Sequence, residues 1–389
     1  MAAVQWQFEA LDTFFFREAA PFNAGEGGQG GQASVFPPAM STLQGAIRYQ
    51  LASCRGWHPG AGNLPPELGD NNDLGDLRLS GPYLYCDKEL LLPAPLFLLR
   101  LHDEVGKKTS YHRLLPGDPV LCDLDEKVVR LPVMPDGAGG AKPMDNYWLS
   151  AATMERVLAG GVPEDDDSSA GFDKPAGCIF ANGVAGSDQL WKSEPRVGIE
   201  LDANSRTAKE SNLYAINMIR PKKHVALVVG VDGIPEEWCQ SVRQNTNVVN
   251  LGGEGKLAGL KITDKQIELP AMPDLIPVKG KVLFTVTLIT PGYFGNRKQT
   301  QKAIMSLQPW INQTCITACI GKARQIGGWD LSANRPRPLL PFIPSGSTWF
   351  FEGDEADIDE IAELHGQYLG ERNAYGYGQI LIGRWEEKV

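Results

Sequence analysis

Near its C-terminus the chain carries Gly376-Tyr377-Gly378-Gln379, followed by Ile380-Leu381-Ile382-Gly383. Glycines packed this closely leave backbone N–H groups open to an approaching phosphate. The aliphatic residues behind them read as a buried strand. A simple turn into that strand is the other use of the same residues. The device recurs at Leu251-Gly252-Gly253-Glu254-Gly255-Lys256. Cations stand near further glycine and proline turns. Arg196, Arg206, Lys209, Arg220, Lys222 and Lys223 cluster in one region. Arg297, Lys298 and Lys302 follow Gly292-Tyr293-Phe294-Gly295. Lys322 and Arg324 precede Gly327-Gly328-Trp329, and Arg335 and Arg337 flank Pro336. Each group alone is an ordinary solvated surface. Together with Tyr293, Phe294, Trp329, Tyr375 and Tyr377 they offer what holds single-stranded RNA: cations and backbone donors for phosphates, aromatic faces for splayed bases.

Motifs for catalysis are sparse. The five histidines are His58, His102, His112, His224 and His365. None lies in His-x-x-x-His or beside a Gly-x-Ser-x-Gly elbow. Gly252-Gly253-Glu254-Gly255-Lys256 lacks the outer glycine spacing and the Ser or Thr of a phosphate-binding loop. A metal-independent ribonuclease needs only a base and a cationic stabiliser. His224 after Lys222 and Lys223 fits that description, as it fits a strand-edge histidine beside solvated lysines. Nothing supports a small-molecule enzyme. Glu164-Asp165-Asp166-Asp167-Ser168-Ser169 reads as a solvated loop rather than a divalent-ion site. No cofactor or metal is expected.

The chain has 389 residues, enough for about two domains. Apolar residues make up 42% and charged residues 22%, which suits a globular protein with real cores. The 43 glycines and 28 prolines imply long, shaped loops. A net charge of −10 argues against nucleic-acid binding over the whole surface, while leaving room for a local basic groove or a basic partner. Met1–Gln7 has no signal-peptide pattern, and the apolar run Leu90–Leu101 is short and broken by Pro93 and Pro95, so neither export nor a membrane span is expected. Seven scattered cysteines without Cys-x-x-Cys read as free thiols in a cytoplasmic protein.

The elements that must position these residues follow from periodicity. Val4, Trp6, Phe8 and Ala10 alternate with polar residues as a half-buried strand. A glycine-rich loop spans Asn23–Gln32. Ser41 and Gln44 form a capping box that opens a helix to about Ser53. Leu77–Tyr85 and Leu90–Leu99 are extended. Residues 102–145 are an excursion with little core, and Asn146–Gly160 is a second helix. Past Pro195, strands are expected at Arg196–Asp202, Asn212–Arg220, Lys223–Asp232, Leu257–Ile262 and Lys281–Pro291, with a helix at Pro235–Gln244. A helix with Asp354 as N-cap runs to Leu369, and Gln379–Trp385 closes the chain as a strand. The expected fold is α+β, with two decorated ferredoxin-like (βαββαβ, RRM-like) domains carrying glycine-rich loops and long insertions. Their spans are 1–194 and 195–389. Phe342-Ile343-Pro344 and Trp349-Phe350-Phe351 serve as core strands or as a docking surface, with core favoured.

Several segments, in order along the chain, resemble the third subunit of Cmr complexes, type III-B CRISPR effectors of the RAMP superfamily. They are Phe14-Phe15-Phe16-Arg17, Pro21-Phe22-Asn23-Ala24-Gly25-Glu26, Phe36-Pro37-Pro38 and Ser41–Arg48 in the first part. Leu79-Ser80-Gly81-Pro82, Leu92-Pro93-Ala94-Pro95, Leu251–Gly255, Gly327-Gly328-Trp329 and Gly376–Gln379 continue the series. Ala19 and Ala20 depart from the glycine and basic residue often found there. The resemblance implies two ferredoxin-like domains and no catalysis by this subunit. It also implies a grip on the 5′ repeat-derived handle of the guide RNA, beside a large polymerase-like subunit and the first backbone RAMP subunit.

The RNA-binding residues expected on these grounds are Arg17, Arg48, Arg196, Lys256, Arg335 and Arg337 for phosphates or bases. Gly252, Gly253, Gly376 and Gly378 are expected to let the backbone come close. The rival reading is a RAMP endoribonuclease that processes the guide precursor with His224 as base.

Overall fold

The computed structural model describes residues 4–17, 33–103, 108–122, 127–167, 182–201, 208–295, 311, 313–330 and 335–387. It is a mixed α/β fold, mostly strands with few helices. In chain order the elements used below are β1 (Val4–Ala10), α1 (Met40–Ser53), β2 (Arg78–Cys86), α2 (Ala151–Leu158), β3 (Trp191–Leu201) and β4 (Ala208–Pro221). They continue with β5 (Val225–Asp232), α3 (Glu236–Asn245), β6 (Leu257–Thr263), β7 (Lys281–Leu288), β8 (Gln313–Cys319), β9 (Thr348–Asp354), α4 (Ile358–Glu363) and β10 (Ile380–Arg384). The chain divides into two compact units. Unit 1 comprises residues 1–87, 188–266 and 325–339, and unit 2 comprises 88–187, 267–324 and 340–389. The boundary expected at 194/195 therefore falls inside strand β3, because the chain returns to unit 1 after residue 187.

In unit 1, β2, β5, β1 and β6 lie side by side in that order, all antiparallel. Val-Ala-Leu-Val-Val-Gly-Val makes β5 a nearly continuous apolar run, as a strand with neighbours on both edges requires. In β1, Val4, Trp6 and Phe8 are buried; the alternation is incomplete, since Gln5 is buried too. Helix α1 buries Met40, Leu43, Ile47 and Leu51, an i, i+3, i+7, i+11 stripe. Helix α3 buries Trp238, Cys239 and Val242. Each such side chain contributes about 1.5–3 kcal/mol on burial.

Two sequence expectations change here. The second helix of this sheet is α3, not 146–160. Tyr147–Ser150 is a strand, paired with 89–93 and 184–186 in unit 2, and Ser150 caps the shorter α2 by accepting from the Thr153 N–H. The capping box of α1 does not form. The helix starts at Met40 after Ala39, and the Ser41 hydroxyl donates to the Gly327 carbonyl instead, at 3.2 Å.

Strands β3 and β4 form a separate two-stranded ribbon, from Trp191↔Pro221 out to Leu201↔Ala208. Ile216 and Met218 of this ribbon pack on Phe15. Phe14 is joined to Ile219 by a reciprocal pair of backbone hydrogen bonds at 2.7 and 2.9 Å.

In unit 2, β8, β9, β7 and β10 form an antiparallel sheet in that order. Phe284, Val286, Trp349, Phe351, Ile361, Ile380 and Ile382 fill its core. Trp349, Phe350, Phe351 and Phe342 are all buried, so these are core strands. The excursion expected at residues 102–145 is built of paired strands, 98–103 with 108–113 and 115–122 with 127–133, and many of its apolar side chains are exposed. Asp354 does not cap a helix with its side chain; it receives Lys281 Nζ at 2.6 Å, and a short 3₁₀ turn precedes α4. Cys54, Cys239, Cys315 and Cys319 are free thiols, but Cys86 is disulfide-bonded, against the expectation that all would be free. No helix among the described residues is long and apolar enough to cross a membrane.

One histidine of unit 2 makes its stability pH-dependent. His365 Nδ1 accepts the Ile382 N–H at 3.1 Å, and its Nε2 lies 2.8 Å from the Pro270 carbonyl. That pair of contacts requires a neutral ring with its proton on Nε2. Burial lowers the His365 pKa below 6.5, against the two hydrogen bonds. The unfolded chain therefore binds the proton first as pH falls. The stabilisation is complete above the unfolded pKa near 6.5 and is lost as pH drops toward the lower folded value. Urea midpoints between pH 7 and pH 5 should fall in the native protein and fall less in His365→Gln.

Candidate nucleic-acid interface

Three stretches distant in sequence meet in unit 1. The first is 11–17, which leaves β1. The second is the base of the β3–β4 ribbon. The third is the turn 251–256 that enters β6. Gly252 has φ +86°, and a Cβ there would stand 2.6 Å from the Phe15 carbonyl oxygen. Gly253 donates its N–H to that same oxygen at 2.8 Å. These glycines are thus required first by backbone meeting backbone. The turn is closed by Leu251 N–H on the Lys256 carbonyl, and residues 252–255 are exposed. Among the described residues, the N–H groups of Gly252, Glu254 and Gly255 make no backbone hydrogen bond. They are the donors an anion can reach.

Charge gathers around this turn. Arg196 Nη2 lies 3.1 Å from Asp12 Oδ2 and 2.7 Å from Glu194 Oε1. Arg220 Nη2 lies 2.9 Å from Asp12 Oδ1, and its Nε donates to Glu194 Oε2. Lys256 Nζ approaches Asp12 Oδ2 at 3.9 Å. Hydrogen bonds from Arg220 first, then Arg196, hold both carboxyls below their ordinary pKa. Arg17 is exposed at the end of the same segment, held by a bridge to Ser34.

Arg48 and Arg337 converge elsewhere in unit 1. Arg48 Nη2 donates to the Asp70 carbonyl at 2.7 Å and Nη1 to Gln44 at 3.2 Å, with only 7% of the residue exposed. Arg337 Nη1 donates to the Asn71 carbonyl at 2.8 Å. Arg48 is bound into the fold by these contacts. Arg337 is partly exposed, and Arg335 is exposed on a two-residue ladder opposite Asp330.

Gly376 and Gly378 belong to unit 2 and are buried. Gly376 N–H donates to the Asn373 carbonyl and Gly378 N–H to the Pro291 carbonyl. A Cβ on Gly378 would lie 2.0 Å from the Leu369 carbonyl oxygen. The Thr290 hydroxyl donates to the Gly376 carbonyl at 2.7 Å and accepts the Gln379 N–H at 2.9 Å. The closing glycine segment is therefore a packed turn whose donors are occupied, not an open phosphate cradle.

Other expected features are also accounted for. Phe294, Tyr375 and Tyr377 are buried core rings, and Tyr293 is half-buried with its ring flanked by Phe342 and Arg372. His224 Nδ1 lies 3.6 Å from Asp87 Oδ1 on a tight turn with φ +70°. Glu164 and Asp165 pair with Arg156 and Lys108. The loop 23–32, the motif Pro21–Glu26, Ala19 and Ala20, Arg206, Arg297, Lys298 and Lys302 lie outside the described residues, as do the side chains of Lys209 and Trp329. Sequence reading missed the roles of Asp12 and Glu194. A Glu-x-Arg alternation on one strand, at 194 and 196, was the available signal.

The two sheets, their short helices and the glycine-rich closing turn define a strand-rich mixed α/β protein. The family described as CRISPR-associated protein (Cas_Cmr3) matches residues 6–385, and the chain belongs to that family. It is 32% identical over 97 residues to the CRISPR system CMR subunit Cmr3 of Saccharolobus solfataricus, an alignment covering 23% of this chain and 30% of that relative. Among solved structures, a chain of the type III-B Cmr-beta complex bound to cognate target RNA and AMPPnP aligns with a TM-score of 0.50 at 17% identity, over 92% of this chain and 88% of that one. A chain of Cmr-beta bound to cognate target RNA aligns with a TM-score of 0.49 at 17% identity, over 97% and 96%.

Proposed function

We propose that the chain is a non-catalytic subunit of a type III-B CRISPR effector in the cytoplasm, and that unit 1 grips the 5′ repeat-derived handle of the guide RNA. Its neighbours are the large polymerase-like subunit and a backbone RAMP subunit. Each unit is a ferredoxin-like module. In unit 1 the order β1-α1-β2-β5-α3-β6 with sheet order β2-β5-β1-β6 supports this. In unit 2 the sheet order β8-β9-β7-β10 supports it. Family membership and one observation carry the functional reading. Arg196, Lys256 and the exposed turn 252–255 are brought together from three separate stretches through Asp12 and Phe15, and Arg17 is exposed two residues beyond Phe15. Such a grouping suits an RNA backbone, with phosphates positioned by cations and backbone N–H groups. Arg335 and Arg337 present further cations elsewhere on unit 1. Arg48 shapes the fold of unit 1, and Gly376 and Gly378 shape that of unit 2.

The test is binding of the purified chain, alone and with its large-subunit partner, to guide RNA with and without the handle. The same gel is inspected for cleavage in EDTA. Handle-dependent binding without cutting is the expected result. A metal-independent cut abolished in His224→Ala would replace this reading with guide-precursor processing. Lys256→Ala should weaken binding and flatten the salt dependence by about 0.7 on a log–log plot, one phosphate contact to a single strand. An unchanged slope removes Lys256 from the interface.

A further inference from the structure

The ring around Asp12 contains two carboxylates that RNA binding leaves without a task. Each arginine touches both carboxylates and each carboxylate touches both arginines, so the four groups close a cycle, with Lys256 at its edge. The two arginines and two carboxylates are open to solvent, while the Lys256 side chain is only 15% exposed. The arginine side chains are 37% and 43% exposed, and the Asp12 and Glu194 side chains 52% and 33%. A carboxylate on a guanidinium uses the same two-oxygen geometry as a phosphate. The resident carboxylates therefore occupy seats that RNA phosphates would take. Both are ionised at neutral pH, as carboxylates ordinarily are, and hydrogen bonds from Arg220 and Arg196 lower their pKa values further.

We propose that Asp12 and Glu194 are specificity-determining residues that stand in for phosphate, so that Arg196, Arg220 and Lys256 engage only an RNA anchored by additional contacts. This rests on the RNA-binding reading above. A phosphate of an unanchored strand must displace a carboxylate held by two arginines, and it gains little by doing so. A strand already held elsewhere presents its phosphate at high effective concentration and makes the exchange.

The experiment uses full-length protein and three probes: guide RNA with its handle, the same RNA without it, and a polyuridine oligomer. Asp12→Asn should bind polyuridine about five- to tenfold more tightly at low salt, with a salt slope steeper by about 0.7, because one cation is released for phosphate. The gap between handle-bearing and handle-free RNA should narrow. Should Asp12→Asn melt at a lower temperature than the native protein, Glu194→Gln, which leaves Asp12 in place, is judged by the same criteria. Polyuridine binding that is unchanged or weaker in a fully folded variant overturns the proposal and makes the ring a clamp for the ribbon. A native protein that prefers the handle while the variants leave polyuridine binding unaltered defeats only this inference. A native protein blind to the handle, whose variants still gain polyuridine affinity, defeats only the handle reading.

Discussion

Gly378→Ala should destabilise unit 2 by about 3 kcal/mol or more, making it one of the most damaging single methyl additions in the chain. Two effects combine. The residue sits at φ +83°, where an L side chain costs about 1–2 kcal/mol. Its Cβ would also stand 2.0 Å from the Leu369 carbonyl oxygen, which is itself backbone and cannot swing aside. Moving it would disturb the hydrogen bonds that tie Leu369 to Gly378 and Gly378 to Pro291. Gly137→Ala separates the two effects. Gly137 has φ +78° and nothing within 4 Å of a built Cβ, so it should show the conformational cost alone. Urea unfolding of both variants checks the difference. Equal losses would mean that close packing at the turn is not what demands glycine.

Arg113→Met should move stability the other way, raising it by about 1–3 kcal/mol. Arg113 lies over the Phe97 ring at 4.9 Å, and its Nε and one Nη are buried without a hydrogen-bond partner. Burial brings its pKa down to about 10, with the charge of Glu386 acting in the opposite sense. A cation held in this way lacks the contacts that normally compensate desolvation, and methionine keeps the length of the stem and its contact with the ring. Thermal melting of the two proteins at neutral pH decides the matter. A variant that melts lower would show that the guanidinium makes a contact worth more than its desolvation.

Much of the strand pattern was legible in the sequence because apolar alternation and β-branched runs report burial directly. Val225–Asp232, Leu257–Thr263, Lys281–Leu288 and Ile380–Arg384 all lie within a few residues of the expected strands. What was not legible is partnership. Periodicity shows that β5 is buried, but not that it enters the sheet between β1 and β2 after an interval of more than a hundred residues. Helix 146–160 looked like the second helix of the first sheet because it comes next in order, yet Tyr147–Leu149 are β-favouring residues that pair within unit 2. The glycines were similarly ambiguous. A Gly-x-Gly run states that a backbone must pass closely, without stating what it passes. At 376–378 the neighbour is Leu369 and Pro291; at 252–253 it is Phe15. Arg48 and Arg196 could be read only as cations. Their engagement with Asp70, Gln44, Asp12 and Glu194 depends on tertiary structure.

The division of unit 1 into three separate stretches sets the order in which a ribosome can deliver it. Strand β1 is made long before its two sheet neighbours, Val225–Asp232 and Leu257–Thr263. Until those segments leave the exit tunnel, Trp6 and Phe8 have no sheet to enter, and both edges of β1 present unpaired N–H and C=O groups. The nascent chain thus holds an apolar strand in waiting while more than two hundred further residues are made, the interval in which such strands pair wrongly or recruit chaperones. A fragment ending at residue 194 would carry that hazard permanently.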